Sequence, residues 1–159
     1  MYTYKEFPLT RNGIALHLDC LTLAGAVPQK HILLVHGVTY SSREFDIDYK
    51  DYSFARMLAR EGYGVWSIDI AGYGRSGAVE DGFMPDSDYA AEDINAAVEL
   101  IVAETGLEKV DLPQTVDTIC EYAFYDCNHL KELTLPDTLT VMGSNAFGYC
   151  TALLSVSIP

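Results

Sequence analysis

Two short stretches of the sequence place residues capable of chemistry directly after apolar runs. His36 and Gly37 follow an apolar run that ends at Val35, and Asp69 precedes a glycine-rich segment. A histidine can act as a general base, and exposed backbone amides can hold an anion. A base must, however, reach within about 3 Å of an exposed nucleophile. Nothing in the order of residues brings a nucleophile to His36, so we predict a packed turn histidine and no catalytic residue.

Neither a nucleotide cofactor nor a metal is expected. Gly72, Gly74 and Gly77 have the spacing of a dinucleotide-binding loop, but residues 78–85 do not read as the helix that should bind the pyrophosphate. The chain has four cysteines, which are Cys20, Cys120, Cys127 and Cys150. They form no C-x-x-C pair, and no histidine lies at zinc spacing from them.

The composition is that of an acidic globular protein. Of the 159 residues 49% are apolar, which is enough for a core, and the formal net charge is −13. This charge repels phosphate backbones and anionic lipids, so nucleic acid and membrane are poor partners. No apolar stretch approaches the roughly 20 residues that span a bilayer, and the N-terminus lacks the apolar core of a secretory signal. We therefore expect a cytoplasmic protein.

Strands alternate with helices over the first hundred residues. Apolar periodicity and turn residues predict these elements: a hairpin of Tyr4–Leu9 and Ile14–Leu23 turning at Asn12-Gly13, a central buried strand His31–Val35, a helix that begins near Phe54 and stops at Gly62, a strand Tyr63–Ile70, and a helix from about Tyr89 to Glu104. This order indicates the α/β class.

Two motifs carry a family resemblance over about residues 1 to 112. Residues 33–37 read LLVHG and residues 68–76 read IDIAGYGRS. Together they resemble the α/β-hydrolase superfamily, in particular its lipase and esterase-like branch. The resemblance implies that the turn His36-Gly37 and the amide of Val38 are a remnant of the oxyanion hole. It also implies that the glycine-rich segment is a structural loop near the mouth of the site.

The nucleophile that this resemblance requires is missing from the sequence. Leu107 to Leu112 resembles the approach to the fifth strand, which in this family ends at a G-x-S-x-G nucleophile elbow. Pro113-Gln114-Thr115 follows instead, and G-x-S-x-G occurs nowhere in the chain. The sequence therefore favours a protein that is not an enzyme. If it were active, the resemblance implies hydrolysis of a carboxylic ester.

From Leu107 onward the sequence repeats with a period of 23 residues. The pattern from Ile119 to Pro136 reappears from Met142 to Pro159 and resembles the BspA-like class of leucine-rich repeats. It predicts a short solenoid of about two coils. The predicted repeat core has two equivalent sets: Phe124, Cys127, Leu130, Leu133 and Leu135, and then Phe147, Cys150, Leu153, Val156 and Ile158. The cysteines in it are interpreted as small buried hydrophobes, with a disulfide between neighbouring coils as the alternative.

The hydrolase half (1–112) and the repeats (107–159) overlap at their join. Leu107, Val110 and Leu112 lie 23 residues before Leu130, Leu133 and Leu135, so one segment satisfies both patterns. We therefore predict a truncated hydrolase sheet of about five strands, with helices on its faces, whose edge is continued by the solenoid.

Two functions remain open at this stage. The first is a hybrid scaffold or interaction protein, with a non-catalytic hydrolase half and repeats that contact another protein. The alternative is a fragment of an esterase-like serine hydrolase that needs a complementary chain for its nucleophile. The strand Leu153 to Ile158 is expected at a sheet edge with apolar residues exposed, which favours a weak homodimer through the C-terminal repeat edge.

Overall fold

The computed structural model describes residues 1–37, 39–50, 52–80 and 87–158, apart from the side chains of residues 87 and 88. The chain divides into two compact units, Met1–Met84 and Pro85–Pro159. The elements of unit 1 are β1 Tyr2–Arg11, β2 Ile14–Leu23, β3 Lys30–Val35, a 3-10 turn Ser42–Phe45, α1 Phe54–Arg60 and β4 Tyr63–Asp69. Those of unit 2 are α2 Ser87–Thr105, β5 Lys109–Asp111, β6 Thr118–Ile119, β7 Glu132–Thr134, β8 Val141–Met142 and β9 Ser155–Ser157.

Unit 1 is built on a sheet in the order β1-β2-β4-β3. β1 and β2 form the hairpin that the Asn-Gly pair predicts, since Asn12 and Gly13 both have positive φ angles of 49° and 82°. β2 then pairs antiparallel with β4, and β3 pairs parallel with β4. This mixed sheet places the carboxyl ends of β3 and β4 side by side.

The central position predicted for the third strand is wrong. β3 lies at an edge of the four-stranded sheet, and within it Leu34 alone is buried. α1 follows the prediction closely: Ser53 caps it by accepting a hydrogen bond from the amide of Arg56, and Gly62, at a φ of 90°, follows its end.

Unit 2 repeats its backbone pairing at the period of the sequence. β5, β7 and β9 form a parallel three-stranded sheet in which Val110 lies opposite Leu133 and Leu133 opposite Val156. β6 and β8 form a second parallel pair, with Ile119 opposite Met142. Every one of these partners is 23 residues from the next. We call residues 115–137 the first repeat and residues 138–159 the second.

β5 belongs to the sheet of the repeats, where its hydrogen bonds go to β7. The prediction that the repeats continue the edge of a five-stranded hydrolase sheet is therefore wrong, because four strands form one sheet and β5 opens another. The division of the chain before α2 has a local cause. The Asn95 side chain on α2 donates to the carbonyl of Tyr125 at 2.5 Å and accepts from the Cys127 thiol at 2.6 Å, which ties the helix to the first repeat.

The core of unit 2 is formed mainly by the first repeat. The five core residues predicted there are all buried, together with Ile119 and Ala146. In the second repeat Phe147, Cys150 and Leu153 are partly buried against this core, and the Phe124 and Phe147 rings stack with centroids 5.4 Å apart. Val156 and Ile158 do not belong to the core: 43% and 76% of their surfaces are exposed, because β9 is an edge strand.

The corners of the repeats share an unusual backbone conformation. Tyr122 and Asn145 have φ angles of 58° and 52°, and Asp126 and Tyr149 have φ angles of 62° and 58°. Each pair is separated by 23 residues. Asparagine and aspartate tolerate this left-handed region, whereas a bulky tyrosine adopts it rarely. The corner geometry therefore recurs irrespective of the side chain.

No helix in the described ranges is long and apolar enough to cross a membrane.

Candidate functional site

The chemically capable residues singled out from the sequence meet at the carboxyl ends of β3 and β4. His36 and Gly37 form the turn after β3, and Asp69 is the last residue of β4. The parallel pairing of these strands sets Val35 opposite Ile68, so His36 and Asp69 follow from neighbouring positions. Both side chains are buried.

His36 is engaged at both ring nitrogens. Its Nε2 accepts a hydrogen bond from the amide of Ile70 at 3.0 Å, and its Nδ1 lies 2.9 Å from the carbonyl oxygen of Gly37. An accepting Nε2 requires the neutral tautomer with the proton on Nδ1, which then donates to Gly37. The imidazole therefore fastens the β3 turn to the end of β4 and has no nitrogen left to take a proton from a nucleophile.

The Asp69 carboxylate is the centre of the polar network in unit 1. Its Oδ1 accepts from the amide of Ser42 at 2.6 Å, and its Oδ2 accepts from the amide of Arg75 at 2.9 Å. Burial alone would raise the pKa of this carboxyl, but the two donating amides and the nearby His17 hold the pKa below its ordinary value. Asp69 thus anchors the 3-10 turn and the glycine-rich loop as a carboxylate.

The glycine-rich loop is shaped to receive Asp69. Gly74 has a φ of 54°, and a Cβ at this position would collide with the Asp69 carboxylate. The Ser76 hydroxyl donates to the Asp69 carbonyl and accepts from the amide of His17 at 2.8 Å. Gly77 donates to the carbonyl of Ala15 at 2.7 Å. The spacing that matches a dinucleotide fingerprint is therefore used within the fold, because the amide of Arg75 binds a side chain of the protein itself.

His17 also belongs to this network, although the sequence analysis does not predict it as a site residue. It lies on β2 directly opposite Asp69, with its Nδ1 3.5 Å from Asp69 Oδ2. Its Nε2 lies 3.5 Å from Glu6 and 3.8 Å from Asp19, yet neither ring nitrogen makes a hydrogen bond. No motif marks His17. Only the register of the hairpin against β4, which the sequence does not specify, brings it to Asp69.

The turn that resembles an oxyanion hole is partly occupied by a side chain. The amide of Gly37 lies 3.4 Å from Glu44 Oε1, at the long end of hydrogen-bond range. Val38, the third residue of the predicted remnant, lies outside the described residues. The carboxylate of Glu44 is therefore within reach of one backbone amide of this turn, that of Gly37.

Close to this network lies a cavity of about 270 Å³, and most of the charged side chains that line it form ion pairs. Arg75 on its lining bridges Glu6 at 3.0 Å and Asp19 at 2.9 Å. Asp46 forms an ion pair with Arg56, whose Nε lies 2.8 Å from Asp46 Oδ1. Neither His36 nor Gly37 lines this cavity. No histidine is among the described residues that line it.

Among the described residues no serine hydroxyl or cysteine thiol is hydrogen-bonded to a histidine ring: His31 accepts from Trp66 and His129 pairs with Glu99. Nor do these residues contain a group of three histidine, cysteine or acidic side chains able to hold a metal ion.

The cysteines of the repeats are free thiols in this structure. Cys127 donates to Asn95, and Cys150 donates to the carbonyl of Phe124 at 2.8 Å. Burial raises the pKa of both thiols. Because the thiolate is the reactive form, both cysteines act as packed, hydrogen-bonded core residues.

Comparison with solved structures shows a hydrolase fold. A CIB-like hydrolase of Thermoplasma acidophilum is 16% identical and matches 100% of this chain and 86% of its own length, with a TM-score of 0.50. The protein PA2218 of Pseudomonas aeruginosa is 20% identical over 84% of this chain, with a TM-score of 0.53. A mutant of potato epoxide hydrolase is 19% identical over 83% of this chain, with a TM-score of 0.51. The chain spans 41% and 39% of the lengths of the last two. No curated protein matches the chain significantly.

Family models divide the sequence in two. Residues 101–159 match the BspA type leucine-rich repeat region, a model of six copies. Residues 26–112, more than half of the chain, match the serine aminopeptidase S33 family. The matches share residues 101–112, which include the segment 107–112 where the sequence satisfies both patterns. The chain therefore belongs to the serine aminopeptidase S33 family of α/β hydrolases and continues into BspA-type leucine-rich repeats.

Proposed function

We propose that the protein is a non-catalytic hybrid, in which the hydrolase-family unit serves as a scaffold and the repeats provide a surface for protein contact. One observation carries the proposal: the side chains of His36 and Asp69 at the ends of β3 and β4 are hydrogen-bonded to backbone groups of the fold. His36 is engaged at both nitrogens, and the Asp69 carboxylate holds two amides. With no G-x-S-x-G in the sequence, the defining step of a serine hydrolase has no nucleophile.

The turn at His36 and Gly37, together with Val38, is in this proposal an oxyanion turn kept for its structural role. Its histidine bonds the amide of Ile70, and its glycine amide faces Glu44. The contact surface belongs to the repeats, which we interpret as a short leucine-rich-repeat solenoid. The parallel registers of β5, β7 and β9 support this interpretation, since each repeat lays its strand beside the last.

The alternative is a fragment of a serine hydrolase that becomes active with a complementary chain. Its support is the position of β3, an edge strand of the four-stranded sheet whose outer side could pair with a further strand. A complementary strand there would have to bring the nucleophile, and its chain the acid and the base.

Serine reactivity distinguishes an active enzyme from the scaffold. The purified chain should release p-nitrophenol from p-nitrophenyl esters no faster than a matched control protein, and a fluorophosphonate probe should label no serine. An active esterase, treated in parallel, confirms that the probe works. Stoichiometric labelling of any serine in the isolated chain would overturn the proposal. Labelling that needs a second chain from the source organism would instead support the fragment.

A further inference from the structure

Three tyrosines at the corners of the two repeats contact one another. The ring of Tyr125 lies between those of Tyr122 and Tyr149 and meets each of them edge to face, with ring centroids 5.2 Å apart in both pairs. We call these three residues the tyrosine cluster. The repeats hold the rings at this spacing, because the amide of Asp126 donates to the carbonyl of Gly148 at 2.7 Å.

The chain makes room for the middle ring. Gly148 is the counterpart of Tyr125 in the second repeat, 23 residues later. A Cβ at Gly148 would lie 2.9 Å from the Tyr125 ring, which is closer than such atoms approach. A second side chain at this corner position would therefore push the ring out of the cluster.

The outer two tyrosines adopt a backbone conformation that does not suit them. Tyr122 and Tyr149 both have a φ of 58°, and their counterparts in the other repeat are Asn145 and Asp126 at nearly the same angle. Asparagine and aspartate tolerate this region better than tyrosine does. Backbone preference does not explain a tyrosine at either corner. Residues that keep such strain are concentrated at ligand-binding sites, so we look for a use of the rings.

The tyrosine cluster lies on the surface of unit 2. Tyr122 is 37% exposed, although it belongs to the first repeat, whose strand β7 has a neighbouring strand on each side. Beside the rings, the side chain of Asp126 is exposed as well. Desolvation raises the pKa of the Tyr125 hydroxyl, and the nearby Tyr149 and Asp126 raise it further. The rings are therefore neutral at neutral pH and lie in the field of a carboxylate.

This surface is suited to a cation that unit 2 does not supply. The face of an aromatic ring carries negative potential and attracts ammonium and guanidinium groups. Residues 85–159 contain 13 acidic and 2 basic residues, which gives unit 2 a net charge of −11. The two basic residues, Lys109 and Lys131, form ion pairs with Asp111 and Glu108. A cation on the rings would have to come from another molecule.

We propose that the tyrosine cluster and Asp126 bind a basic segment of a partner protein, with an arginine side chain against the exposed rings. A planar guanidinium can stack on a tyrosine ring and keep its charge, and the acidic unit attracts such a segment from a distance. This inference names the kind of partner for the contact surface proposed above and rests on that proposal.

A pair of synthetic peptides tests the charge requirement. The probe is a fluorescein-labelled Gly-Ser peptide with three arginines, and its control carries uncharged citrulline at the same three positions. Fluorescence anisotropy with the whole chain should show that the arginine peptide binds at least about tenfold more tightly, and that added salt weakens its binding. Equal binding of the two peptides, or no binding of either, refutes the proposal.

A double variant separates the rings from the general acidity of the unit. Tyr122→Asn with Tyr149→Asn leaves the net charge unchanged and gives both corners a residue that suits their backbone. Loss of the two rings should weaken binding of the arginine peptide about five- to thirtyfold. Tyr40→Asn, at a tyrosine of unit 1 that is 61% exposed, should leave binding unchanged. Full binding by the double variant would show that acidity alone attracts the peptide and would overturn the proposal.

Stability provides a second measurement on the same variants. The double variant should unfold at the same or a higher urea concentration than the unchanged protein, because asparagine relieves the strain at both corners. A loss of stability with binding intact would make the tyrosines packing residues only and contradict the proposal. Asp126→Asn keeps all three rings, and it should weaken peptide binding and reduce its dependence on salt.

A different occupant would give a different result. If maltohexaose, a neutral oligosaccharide, binds to the cluster and the arginine peptide does not, the rings are a sugar-binding surface and the proposal is wrong. None of these outcomes alters fluorophosphonate labelling. Failure of the basic partner is therefore distinguishable from failure of the non-catalytic scaffold.

Discussion

Unit 1 and the repeats are held together in different ways. In unit 1 the turn after β3, the 3-10 turn and the glycine-rich loop are all fixed at the end of β4, around Asp69 and the neighbouring amide of Ile70. In the repeats the same contact is made again 23 residues later, as Phe124 against Phe147 and Leu133 beside Val156 illustrate. In a network centred on one residue, every member is needed. In a periodic stack, the effect of a substitution depends on which repeat contains the residue.

The largest expected effect tests that dependence. Phe124→Ala should lower the free energy of unfolding by about 3–5 kcal/mol, because this ring is buried in the repeat core. Phe147→Ala removes the equivalent ring from a partly buried site and should cost clearly less. Urea denaturation of both variants measures the difference. Equal, near-zero losses would show that the repeats are not folded.

Glycine substitutions compare the close approaches in the two regions. A Cβ at Gly143 would collide with backbone atoms of Cys120 and Glu121 in the first repeat, and one at Gly74 would collide with the Asp69 carboxylate. Each alanine variant should lose about 1–3 kcal/mol, since a well-packed site must move to accept a methyl group. Gly37→Ala is the control, because its new Cβ would meet Tyr40 at an ordinary 3.8 Å. Thermal unfolding that ranks Gly37→Ala with the other two would contradict this account.

The last of the three comparisons concerns pH. The pKa of Asp69 is lower in the folded protein than its ordinary 3.8, so its stabilising contribution is fully present above that value. The contribution is lost as the pH falls through the folded-state pKa. Asp69→Asn should lower the free energy of unfolding by about 1–3 kcal/mol at neutral pH. The stability of the variant should then fall less steeply as the pH is lowered. Asp48→Asn, at a side chain that is 90% exposed, should change neither measurably. If stability falls as steeply with decreasing pH in Asp69→Asn as in the unchanged protein, the Asp69 carboxylate does not hold the network together.

Local patterns predicted most of the elements. The Asn12-Gly13 pair located the hairpin, and the 23-residue period located β5, β7 and β9 and their register. The hairpin could be predicted because its signal lies in adjacent residues. The repeat strands could be predicted because the same pattern occurs more than once, so that one copy confirms the other. The motifs at His36 and Asp69 likewise marked the ends of two strands, which the structure shows to be neighbours, but they did not predict the hydrogen bonds around Asp69.

Strand order was where the sequence failed. The apolar run of β3 reads as a central strand, but it forms an edge because β5 pairs with β7. A run of apolar letters reports burial and does not identify the neighbour that covers it. The contact between His17 and Asp69 could not be predicted for a related reason. It depends on the register between β2 and β4, which are separated by 52 residues of sequence at this pair.

The constant register of the repeats also restricts how this region can change in length. Successive side chains of a strand face opposite sides, so inserting one residue within β9, before Val156, would turn Val156 and the residues after it to the wrong face. Inserting a whole unit of 23 residues keeps every inward position inward and supplies its own left-handed corners, as Asn145 and Tyr149 supply those of the second repeat. Genetic duplication of complete units is therefore compatible with folding, while small insertions and deletions in the strands are not.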